Sequence, residues 1–100
     1  RCTCYNLHGY TKSGSYTRDG ILAGKEEWIG KGAILYEVKE DGSLGDFIGY
    51  YEFKDTGYGI EGSIQNGTSI DVWVPDDTAV QEWVDTYGDY VYLQIVEGEG

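Results

Sequence analysis

The chain has 100 residues, with 18 Asp and Glu against seven Lys and Arg, which gives a formal net charge of −11 at pH 7. That length supports one domain, residues 1–100, with a single small core and no second unit. The acidic balance excludes the cationic stripe that nucleic-acid binding needs and is repelled by an anionic membrane surface, which leaves a neutral, cationic or carbohydrate partner.

Solubility alone would also account for the charge. An apolar fraction of 40% places the chain with ordered globular proteins, and 16 Gly and 10 Tyr against one Pro and no Met predict sheets and tight turns. No apolar run approaches a membrane span and no signal peptide is visible, so membrane insertion is not expected and the compartment is unreadable from the N-terminus.

Taken in chain order, Cys2 and Cys4 come first, one residue apart. On a strand they point to the same side, but neighbours this close rarely form an unstrained disulfide. With His8 they make three soft ligands where a structural zinc site wants four, so free thiols and no metal or cofactor are expected. "GYTKSGSYTRDG" is turn-rich and leads into the short apolar run Ile21-Leu22-Ala23. "GAILYEV" (Gly32–Val38) alternates Ile34, Tyr36 and Val38 on one face, which is strand periodicity. The Asp-Gly pair in "KEDGSLGD" predicts a hairpin turn, and "FIGYYEFKD" (Phe47–Asp55) the returning strand.

"DTGYGIEGSIQNGTSIDVW" follows, a bridge with four glycines between Asp55 and Asp71 and almost nothing that builds a core. "SIDVWVP" predicts a strand closed by Pro75. In "DDTAVQEWVDTYG", Asp76 or Asp77 caps a helix that places Ala79, Val80, Trp83, Val84 and Tyr87 on one face and stops at Gly88. "YVYLQIV" is a last strand. This order predicts a mainly β fold closed into a small barrel with one short helix near the C-terminus. Its interior is expected to hold Ile34, Tyr36, Ile70, Val72, Val74, Val91, Leu93 and Ile95, and the helix to pack through Val80, Trp83 and Val84.

Alternation in "SIDVWV" puts Ile70, Val72 and Val74 on one face and Ser69, Asp71 and Trp73 on the other. A carboxyl beside an indole is partly desolvated, which raises its pKa and lets it hold a proton near neutral pH. A flat aromatic on the same face is also what a sugar ring packs against. Acid and platform together suit cleavage of a glycosidic bond, although an Asp on a strand's polar face is more often merely solvated.

The stretches "KDTGYG…GSIQNGTSIDVWV", "GYTKSG", "GILAG" and "YVYLQIV" together resemble the 3D (three-aspartate) domain family. That family is related to the catalytic domain of membrane-bound lytic transglycosylase A and to stationary-phase survival muralytic proteins. The resemblance implies a double-psi β-barrel with an open groove and non-hydrolytic cleavage of peptidoglycan between N-acetylmuramic acid and N-acetylglucosamine. It implies Asp71 as the acid/base that protonates the glycosidic oxygen and then takes the C6 hydroxyl proton as a 1,6-anhydro ring closes. Asp55 matches the first aspartate of the motif and would position the sugar or Asp71, or stabilise developing positive charge. Trp73, Tyr58, Thr56, Gly57 and Ser69 are the expected substrate contacts; in a silent binding module Trp28, Trp73, Tyr58 and the other tyrosines would suffice for stacking on glycan. The implied partner is a peptidoglycan strand, the implied setting secreted or wall-associated, and the implied state monomeric.

Two departures stand out. The Asp55–Asp71 bridge is longer than the family pattern, with "GYGIEGSIQNG" in place of a Gly-Gly-Ala-Ile-Lys-Gly run. The place of the third aspartate falls on Lys25, followed by Glu26 and Glu27, so either a glutamate substitutes or that acid is absent. A catalytically silent carbohydrate-binding module on the same barrel is the alternative reading. A third is an interaction or structural domain in an intracellular or phage setting, with which free thiols and negative charge are compatible.

Overall fold

A computed structural model describes residues 1–97. Six strands form one mixed sheet: β1 (Cys2–Tyr5), β2 (Ile21–Ala23), β3 (Gly32–Val38), β4 (Leu44–Asp55), β5 (Ile70–Trp73) and β6 (Val91–Val96), in spatial order β1-β5-β2-β4-β3-β6. The one α-helix, α1 (Asp77–Tyr87), lies between β5 and β6. Pairs β1–β5 and β2–β4 are parallel and need long crossovers, whereas β3 is antiparallel to both β4 and β6 and β2 is antiparallel to β5.

The sheet is mainly β as expected, but strand pairing does not close it into a barrel: β1 and β6 are its edges. They approach where the Cys2 N–H donates to the Asp89 carbonyl just before β6, at 2.8 Å.

The β3–β4 hairpin turns where its sequence says it should. Asp41 Oδ1 accepts the Ser43 N–H at 2.9 Å, and Gly42 takes φ 85°, a left-handed conformation that a side chain would strain. The helix has the predicted bounds and caps. Asp76 Oδ1 accepts the Ala79 N–H at 2.8 Å, and at the other end Gly88 takes φ 71° and donates its N–H to the Val84 carbonyl.

The core is built from Leu22, Ala33, Leu35, Phe53, Ile70, Val72 and Val74, with the Cys2 thiol among them. Ile70, Val72 and Val74 therefore face inward as alternation predicts. The β3 face is corrected by one residue: Ala33 and Leu35 are fully buried, while Ile34 and Tyr36 are half-buried on the opposite side. Both faces of "GAILYEV" are apolar, so periodicity alone cannot choose between them. Val91 and Leu93 pack against the core part-exposed, and Ile95 is 36% exposed on the β6 edge.

Helix α1 packs through Ala79, Val80 and Trp83, whereas Val84 is 41% exposed, because the contact stripe is narrower than the apolar stripe in the sequence. Trp83 stands between Tyr51 (centroids 6.3 Å apart) and Tyr87 (4.6 Å). Its Nε1 is buried without a hydrogen-bond partner among the described residues.

Candidate functional site

The centre of the site is a residue with no chemistry of its own. Ala23, the last residue of β2, is paired on one side with Asp55 of β4 and on the other with Asp71 of β5. Adjacent strands lie about 4.8 Å apart, so the two aspartates sit roughly 10 Å apart at the backbone on either side of one small side chain.

This juxtaposition depends on an irregularity. The β2–β4 register shifts between Leu22 and Ala23, so that Leu22 pairs with Phe53 but Ala23 with Asp55. Without that bulge Ala23 would face Lys54, and an ammonium would occupy the place of the first carboxylate. Lys54 instead turns toward Glu52, at 3.5 Å.

The carboxyls have opposite environments. Asp55 is held by three donors: Oδ1 accepts the backbone N–H groups of Thr56 at 2.9 Å and Lys12 at 3.0 Å, and Oδ2 accepts the Tyr5 hydroxyl at 3.3 Å. Burial first, then the Asp55 charge, holds the Tyr5 phenol protonated well above its usual range. Asp71 has no hydrogen-bond donor among the described residues. Burial, and secondarily the negative charge of Asp55, push its pKa above the ordinary aspartate value. One carboxylate is thus held by three protein donors, while the other has none among the described residues and a raised pKa.

Both carboxyls line a cavity of about 430 Å³, roofed by the Leu7–Tyr10 segment and bounded by Tyr5 and Thr56. Asp71 also lines a second cavity of about 220 Å³ on its other side, with Thr3, Ile60, Ser63 and Ser69. The acid therefore stands at the junction of two hollows.

The implied contact residues fare unequally. Thr56 and Gly57 line the larger cavity and Ser69 the smaller, although Ser69 is itself buried. Tyr58 is 79% exposed beyond the cavity lining. Trp73 is corrected: it is only 6% exposed and offers no open face for stacking. Its Nε1 donates to the Leu7 carbonyl at 2.8 Å, and the His8 ring packs edge-on against it. Alternation places Trp73 on the Asp71 face, but it does not reveal that a loop from another part of the chain covers that indole. Trp28 is likewise engaged, tilted against Phe53.

The glycine bridge also differs from a loose loop. Ile64 is 2% exposed and anchors it, and Gln65 Nε2 donates to Thr56 Oγ1 (2.7 Å) and to the Gly57 carbonyl (2.6 Å) while Oε1 accepts the Glu26 N–H (3.2 Å). Thr56 Oγ1 in turn donates to the Gly24 carbonyl at 2.8 Å. Tyr5 and Gln65 thus belong to the site but carry no motif. Tyr5 comes to it only through the β1–β5 register, which sets it beside Trp73.

Among the described residues, no third carboxylate lines the larger cavity. Lys25 pairs with Glu27 at 2.5 Å, and Glu26 and Glu27 lie in an exposed 3-10 turn. Cys2 and Cys4 are free thiols, pushed up by burial to about 12 and about 11. Comparison with protein-family models, with curated proteins and with solved structures returns no match.

Proposed function

We propose that this chain is a peptidoglycan lytic transglycosylase domain, cleaving the bond between N-acetylmuramic acid and N-acetylglucosamine without water. The observation that carries the reading is the double pairing of Ala23, which sets Asp71, its pKa raised by burial, opposite a hydrogen-bonded Asp55 across one cavity.

Protonated Asp71 donates to the glycosidic oxygen as the C1–O bond breaks and positive charge spreads over the muramyl ring. The fixed Asp55 anion stabilises that charge. Asp71, now a carboxylate, takes the C6 hydroxyl proton as that oxygen bonds to C1 and closes the 1,6-anhydro ring. The proton returns to Asp71 and no water is consumed. The two hollows flanking Asp71 would seat the sugar units on either side of the bond.

The double-psi barrel belongs to the same proposal. Its support is the two parallel pairs reached by long crossovers, β1–β5 and β2–β4, and the single hydrogen bond that brings the sheet edges together. A wall-associated setting follows from the substrate.

A catalytically silent glycan-binding module is the second reading, favoured by the exposed rings of Tyr10 on the cavity rim and Tyr58 beyond it. Incubating the purified domain with sacculi and analysing the soluble products by mass spectrometry separates the two. Anhydro-ended muropeptides are expected; glycan binding without them would establish the module instead.

A further inference from the structure

A third cavity of about 450 Å³, which neither Asp55 nor Asp71 lines, lies between helix α1 and the turn that precedes β2. Its walls include the rings of Tyr51, Trp83 and Tyr87, with Pro75 at the rim. The rings are not stacked flat on each other: Tyr51 and Trp83 meet at 80°, and Trp83 and Tyr87 at 59°. A cation seated among three aromatic side chains is attracted to their negative ring faces. Two carboxylates, Asp19 and Glu82, also line it. Both are exposed and neither makes an ion pair among the described residues, because Arg18 reaches past to Glu52. No Lys, Arg or His lines the cavity.

From this combination we infer that the α1 cavity is a binding site for an organic ammonium, an alkylated cation whose charge meets the π faces while the two carboxylates supply the counter-charge. A neutral apolar ligand would gain nothing from Asp19 and Glu82, and an inorganic cation would find too few oxygens and too much ring. An alkylammonium is weakly hydrated, so entering a hollow walled by rings costs it little. The site shares no carboxylate with Asp55 or Asp71, so it stands whether or not the chain cleaves glycan. The ammonium could be a free small molecule or be carried on a peptide side chain.

The test is titration of the full chain with choline, with its neutral carbon isostere 3,3-dimethyl-1-butanol, and with N-acetyl-trimethyllysine amide. It is read by calorimetry and by the NMR shift of the assigned Trp83 indole N–H. Choline, the trimethyllysine compound or both should bind and move the Trp83 signal, and which one does so identifies the source. The neutral isostere should bind at least about tenfold more weakly. Asp19→Asn combined with Glu82→Gln, both at exposed positions, should weaken binding by about threefold or more, and the effect should shrink in high salt. Tyr87→Phe should retain binding and Tyr87→Leu should lose it, since only the former keeps the π face. Absence of binding by both cations, equal binding of the isostere, or indifference to both the carboxamide pair and Tyr87→Leu would each overturn the proposal.

Discussion

Replacing Asp71 by Asn keeps the shape of the carboxyl but removes the proton that the proposed mechanism has it give and take back. Loss of about 10²–10⁴-fold in anhydro-muropeptide release is expected, with glycan affinity nearly intact, from paired turnover and binding measurements. The same change should stabilise the fold at neutral pH. A carboxyl whose folded pKa is raised favours folding below its unfolded pKa, and that contribution is lost as pH rises through the folded value. Asp71→Asn should therefore melt higher than the parent above that range and lose its advantage in acid. Asp55→Asn should cost less activity than Asp71→Asn. It should also move the alkaline limb of the kcat/KM profile to lower pH, because the Asp55 charge is the second cause of the raised Asp71 pKa. Burial, the first cause, remains and keeps the limb above the ordinary aspartate value. The sequence expected Asp55 and Asp71 to converge, and both line one cavity. Their unlike environments were only half legible. The neighbour Trp73 suggested desolvation of Asp71, but the three donors on Asp55 come from Tyr5, Lys12 and Thr56, two of them far away in the chain.

Among the elements, the segment Leu7–Tyr10 shows how a loop is held by a residue that reads as a ligand platform. Trp73→Ala should not act as a mild binding mutation. It removes a 6%-exposed indole and orphans the Leu7 carbonyl, so a loss of about 3–5 kcal/mol in chemical denaturation is expected, with activity falling through the collapsed cavity roof. Helix α1 makes the simpler case: Asp76→Ala removes the side chain that accepts the Ala79 N–H and should cost about 0.5–2 kcal/mol by the same measurement. The helix and the β3–β4 hairpin were readable because their signals are local, a cap at one end and a Gly at the other, or an Asp-Gly turn between apolar runs. The inward face of β3 was not, since Ile34 and Leu35 are equally good core residues. The bridge from Asp55 to Asp71 looked loose because its anchor is a single Ile64 and its brace a single Gln65, neither of which forms a periodic pattern.

At the scale of the whole molecule, 18 acids against seven bases repel one another in the folded state. Adding salt shortens the reach of that repulsion to about 8 Å at physiological ionic strength and about 3 Å at 1 M. The melting temperature should accordingly rise with sodium chloride, and a fall would mean that attractive pairs such as Arg18–Glu52 outweigh the net charge. The mainly β class was legible from composition, whereas closure of the sheet was not decided by it, because strand order rests on pairings that no local pattern encodes. The short strand Ile21–Ala23 has every partner far along the chain: Leu22 meets Phe53 and Val72, and Ala23 meets Asp55 and Asp71. In time rather than in space, this makes the two-aspartate constellation one of the last things a folding chain acquires. Hairpin and helix can form from neighbours, but no fragment ending before Asp71 can bring the acids together. A chain still being made therefore lacks this pair until β5 has been made and has paired with β2.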